Sequence, residues 1–136
     1  MSMALTLADA ESVIRGAQAH AAKLGIRVSI AVVDAGGNLV SLERMDGASP
    51  MTPAVAEGKA LGAAMFQRDG GWLLSVANDR PAFYGAVSGM ARRTLVPGLG
   101  SLPIVKAGEA LGAVGVSGGK SEQDLECAEA GIGSLE

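Results

Sequence analysis

Apolar residues recur at Leu7, Ala10, Val13, Ile14, Ala17 and Ala21. This is the three-and-four spacing of an amphipathic helix, and it predicts helix over 7–24, with Thr6 capping its start and Gly25 stopping it. The period then changes. Residues 26–33 form a nearly continuous apolar and β-branched run, Ala35-Gly36-Gly37-Asn38 supplies turn residues, and 39–45 resumes as a strand. A matched pattern lies further on, where Ile104-Val105 leads to Lys106-Ala107-Gly108-Glu109 and returns through an apolar run to Gly115-Val116-Ser117-Gly118-Gly119. Each is an antiparallel hairpin closed by residues that tolerate positive φ.

Between the hairpins, Pro50 and Pro53 fit the first turn of a helix over about 52–67, because the N–H each lacks would be unbonded there anyway. Gly70-Gly71 ends it. Two shorter helical pieces follow at 72–77 and 82–90, parted by Asn78-Asp79-Arg80-Pro81, and 92–96 reads as a short strand. Ser121, with Asp124 three residues on, is expected to cap a last helix. This order groups strands in antiparallel sets beside helices, without βαβ alternation. It predicts an α+β domain over 1–136 with about five strands.

Composition narrows the class. The 136 residues are 49% apolar but only 3% aromatic. Small side chains must therefore pack closely, and surplus apolar surface with few charges predicts a homo-oligomer. No run approaches the ~18 apolar residues of a membrane helix. The net charge of −3 argues against nucleic acid, whose binding rests on cationic contacts to phosphate. One cysteine, Cys127, makes no internal disulfide, and Met1-Ser2-Met3-Ala4-Leu5 lacks the charged and apolar regions of a signal peptide, so a cytoplasmic location is expected.

Few residues carry chemistry. Gly112, Gly115, Gly118 and Gly119 form a glycine cluster, but one that ends an antiparallel hairpin and lacks the βαβ unit of a dinucleotide site. A single His and a single Cys nearly exclude a zinc site of the usual composition. His20, on helix one, is either a surface histidine or a ligand for haem iron. Met45, Met51, Met65 and Met90 are axial-ligand candidates or core. Asp34 reads as a turn former. Arg44 and Lys59 are the cations best placed to meet an anion, and the Ser117-Gly118-Gly119 turn before a helix is either a turn needing positive φ or a set of N–H groups facing a carboxylate.

Residues 26–47, Ile-Arg-Val-Ser-Ile-Ala-Val-Val-Asp-Ala-Gly-Gly-Asn-Leu-Val-Ser-Leu-Glu-Arg-Met-Asp-Gly, resemble the central motif of the GlcG/HbpS-like family, which includes the C-terminal domain of PduO. The likeness continues at Gly58-Lys59-Ala60, Pro97-Gly98, Leu102-Pro103-Ile104, the run from Gly112 to Gly119, and Gln123-Asp124. Asn38 stands where the family often has His, and Leu61-Gly62-Ala63 where it commonly carries Thr. The resemblance implies a profilin-like, five-stranded antiparallel sheet flanked by helices, assembled as dimers and often octamers, with haem bound in some members through a first-helix histidine, the region of His20.

The function expected from this is haem binding or haem and iron handling by a small homo-oligomer, with His20, Arg44, Lys59, Ser117, Gly118 and Gly119 as the binding residues. The competing expectation is an enzyme or binding protein for a small hydroxy- or oxo-carboxylic acid in a catabolic pathway. There Lys59, Arg44 and the 117–119 turn would grip the carboxylate, and Asp34 or Glu57 would move a proton. A third is an accessory subunit without chemistry. On either of the first two, Lys59 is expected at a pocket on the sheet edge.

Overall fold

The computed structural model describes residues 4–135; Met1, Ser2 and Met3 of the leader expectation lie outside them. Helix α1 (Leu7–Leu24) is bounded by local chemistry. The Thr6 hydroxyl accepts from the Asp9 N–H while the Asp9 carboxylate accepts from the Thr6 N–H, and Gly25 closes the helix in the left-handed region at φ 73°. Strands β1 (Ser29–Asp34) and β2 (Leu39–Arg44) form the first hairpin. Asp34 does hold its turn, its carboxylate accepting from the backbone N–H groups of Gly36 and Asn38. Helix α2 (Thr52–Phe66) follows, then α3 (Gly70–Asp79) and α4 (Pro81–Ser88). The second hairpin, β3 (Ser101–Lys106) and β4 (Glu109–Ser117), turns on Ala107 and Gly108, both at positive φ, before α5 (Ser121–Gly133).

The sheet has four antiparallel strands in the order β2-β1-β4-β3, not about five. The missing strand is the one expected at 92–96. Leu95 and Val96 bond to helices instead: the Val96 N–H donates to Gly58 O, the Leu95 N–H to Ser88 Oγ, and the Tyr84 hydroxyl to Leu95 O. These bonds strap the segment to α2 and α4 rather than along a sheet edge.

Alternation along the central strand β1 sorts the core into two layers. Ile30 and Val32 join Ile104, Val114 and Val116 beneath α1 and α5, packing with Ala10, Val13, Ile14, Ala17, Cys127 and Ala128. Ala31 and Val33 point to the other face, where with Ala113 they meet Ala56, Ala60, Ala63 and Ala64 of α2. The alanines on that face let α2 lie very close to the sheet. A Cβ on Gly115 would collide with the backbone of Ala56 and Ala60, which is why β4 carries glycine there. A buried hydrogen bond of 2.8 Å between Ser29 Oγ and Thr52 Oγ1 ties the start of α2 to β1.

Candidate functional site

The six candidate residues fall in three separate places. The first is internal. Lys59, on the sheet-facing side of α2, is 8% exposed; its ammonium donates to Val116 O at 2.9 Å and to Asp124 Oδ2 at 3.3 Å. Asp124, on the first turns of α5, is 3% exposed, and its Oδ1 accepts from the Gly119 N–H at 2.9 Å. The expected combination of Lys59 with the Ser117-Gly118-Gly119 turn therefore exists, and it does hold a carboxylate. That carboxylate is the protein's own. Lys59 lies within the fold rather than at a pocket on the sheet edge, which corrects that expectation: its charge is spent joining α2, β4 and α5.

The start of α5 differs from expectation for the same reason. Lys120 is the cap residue, with its N–H donating to Gln123 Oε1, and Ser121 is already the first helical residue. Asp124 is thus free to reach back to Gly119 instead of serving as the partner of a Ser121 cap. Burial pushes the Asp124 carboxyl above its ordinary range, opposed by Lys59 and by the N–H groups of Gly119 and Gly118.

The second place is the surface shared by α1 and α5. His20, with its side chain 25% exposed, donates from Nε2 to Glu126 Oε1 at 3.2 Å. In the neutral ring this leaves the lone pair on Nδ1, and the carboxylate orients the plane of the imidazole, the arrangement usual behind metal-bound histidines. His20 does not line the groove at the end of α1. Among the described residues no three His, Cys, Asp or Glu side chains cluster as a metal cage.

The third place is an open groove of about 610 Å³ between the end of α1 and the loop after β2, lined by Gln18, Ala22, Gly25, Ile26, Arg27, Arg44, Met45 and Asp46. Arg44 sits here, donating to Ala48 O at 3.1 Å. Gln18 and Ala22 flank His20 by two positions each, about 200° around the helix, so Arg44 and His20 lie on opposite sides of α1 and serve no common ligand within one chain.

The proposed proton movers are engaged elsewhere: Asp34 holds its turn, and Glu57 Oε2 pairs with Arg93 Nε at 3.1 Å. Of the methionines, Met45 packs against the core while Met51, Met65 and Met90 are exposed. Sequence reasoning missed Asp124, Glu126 and Arg27 as site residues. Glu126 and His20 are 106 positions apart, and no local pattern announces such a pair.

A four-stranded antiparallel sheet between helical layers, with a carboxylate-oriented imidazole on one surface and a cationic groove on another, defines a small α+β domain. Residues 5–133 match the family model described as haem degrading protein HbpS-like, and the chain belongs to the HbpS-like family. It is 39% identical over 110 residues to the protein GlcG of Escherichia coli, covering 79% of this chain and 77% of GlcG. In structure it is similar to HbpS, with a TM-score of 0.87 at 31% identity, over 100% of this chain and 93% of HbpS. It is also similar to PduOC, solved as a haem complex, with a TM-score of 0.86 at 28% identity, over 97% of this chain and 95% of PduOC.

Proposed function

We propose that this chain binds haem, and handles haem or iron as a small homo-oligomer, with His20 as the iron ligand. The observation that carries the reading is the Glu126-oriented imidazole on the α1/α5 surface, in a family that includes a haem complex with the same fold. Lys23, three residues on along α1, offers an ammonium on the same side for a propionate. Haem would supply the redox and ligand chemistry of its iron; the chain supplies one nitrogen and the carboxylate behind it.

The exposed apolar side chains agree with assembly: Met90 is 83% exposed and Met51 66%, in a chain with few charges.

Titration with hemin tests the reading. A Soret band that saturates is expected for the natural chain. His20→Ala should weaken binding at least tenfold and move the band, and Glu126→Gln should move it without abolishing binding. An unchanged spectrum and affinity in His20→Ala would overturn the assignment of the ligand. Light scattering showing a species of 13.6 kDa throughout the micromolar range would overturn the assembly.

A further inference from the structure

The groove at the end of α1 holds two guanidinium groups whose charge no carboxylate of the described residues neutralises by an ion pair. They belong to Arg27 and Arg44. Glu43, next to Arg44 in sequence, is taken by Arg15 at 3.0 Å and by Gln18 at 2.7 Å. The Arg27 guanidinium lies over Gly47, whose φ is +85°, and a Cβ at Gly47 would sit 2.5 Å from Arg27 Nη1. The loop after β2 therefore leaves space for that guanidinium as well as turning. Arg44 is anchored by one bond to Ala48 O, which leaves further donors of its planar fork unused.

We infer that this groove is a binding site for a small hydroxycarboxylate. Guanidinium groups match a carboxylate in bidentate geometry. Two of them against the single carboxylate of Asp46 give the lining a charge of +1, which a monoanion neutralises. A dicarboxylate would leave an excess negative charge and a zwitterion would leave the positive charge unmet. Asp46, an acceptor when ionised, calls for a donor on the ligand, and a hydroxyl is the neutral group that provides one. Ala22, Ile26 and Met45 form an apolar wall for a short carbon chain.

Calorimetric titration of the haem-free protein at low salt with lactate, propionate, alanine and inorganic phosphate tests this. Lactate is expected to bind once per chain, and propionate, which lacks only the hydroxyl, at least fivefold more weakly; alanine should be weaker than lactate by a similar factor. Arg27→Ala and Arg44→Ala should each weaken lactate at least tenfold, and Asp46→Asn should narrow the gap between lactate and propionate. Should Arg44→Ala unfold because Ala48 O loses its donor, Arg27→Ala carries the test alone. His20→Ala should leave lactate binding unchanged, since it lies across α1. No lactate binding, or binding indifferent to Arg27→Ala in a variant with the native melting temperature, would overturn the site. Equal affinity for lactate and propionate, or tighter binding of alanine or phosphate, would overturn the class of ligand.

Discussion

Replacing Lys59 by Met tests the account of the interior, because the two side chains are similar in length and only the charge and its bonds are lost. In the natural protein the ammonium bonds Val116 O and Asp124, both buried. In Lys59→Met the Asp124 carboxylate keeps the Gly119 N–H but loses its only cationic partner among the described residues. Removing one member of a buried pair costs about 3–5 kcal/mol, because the other charge is stranded. The Val116 carbonyl adds roughly 1 kcal/mol if it finds no other donor. For a chain of this size the sum lowers the melting temperature by on the order of 10–20 °C.

Urea denaturation of Lys59→Met, Asp124→Asn and the double variant, arranged as a mutant cycle, measures the coupling. The double variant buries no charge and should recover at least half of the Lys59→Met loss. The pH dependence has a definite sign. Asp124 has a raised pKa in the folded state, so its ionisation costs stability as pH rises from the unfolded carboxyl value through the folded one. Without Lys59 the folded value rises further, so the deficit of Lys59→Met should shrink on acidification. A loss under about 1 kcal/mol, or costs that add within about 0.5 kcal/mol, would refute the reasoning.

Two further outcomes follow from packing. Gly115→Ala places a methyl against the backbone of α2 and should cost about 1–3 kcal/mol, whereas Gly85→Ala, which meets nothing within 4 Å inside α4, should stabilise by up to about 1 kcal/mol; thermal melts of the pair check both. Cys127 is fully buried and its thiol is pushed up to about 11 from 9.0, chiefly by burial and then by Asp124 and Glu126. The native thiol should therefore resist an aromatic disulfide reagent at pH 8 and react in urea. Above pH 9 the unfolded chain ionises first, so stability should fall by roughly 2–3 kcal/mol toward pH 11, and Cys127→Ala should lack this part of the alkaline slope.

Helix α1 was legible to the residue, because its signals are local: Thr6 and Asp9 bond each other across one turn, and Gly25 meets the left-handed conformation that ends it. The hairpins were legible for a related reason, since a tight turn is chosen by the few residues that make it, as Asp34 and Ala107-Gly108 do. The strand expected at 92–96 failed because β-propensity leaves open which partner satisfies the backbone, and here α2 and α4 offered the bonds first. His20 was identifiable as the one imidazole, but its orientation depends on Glu126, which packing alone brings near.

Lys59 and the Gly119 N–H meet at the same carboxylate, yet whether they faced a ligand or the core was not in their spacing. Tertiary structure decided it by seating α5 on the sheet so that Asp124 arrived as the carboxylate. Local chemistry thus determined where this chain bends, and which of its groups favour an anion or a metal. Which groups remain available, the imidazole outside and the Arg27–Arg44 groove but not the buried ammonium, was decided by contacts between residues far apart in sequence, since a charge within the close-packed interior is kept only where a distant partner compensates its lost hydration.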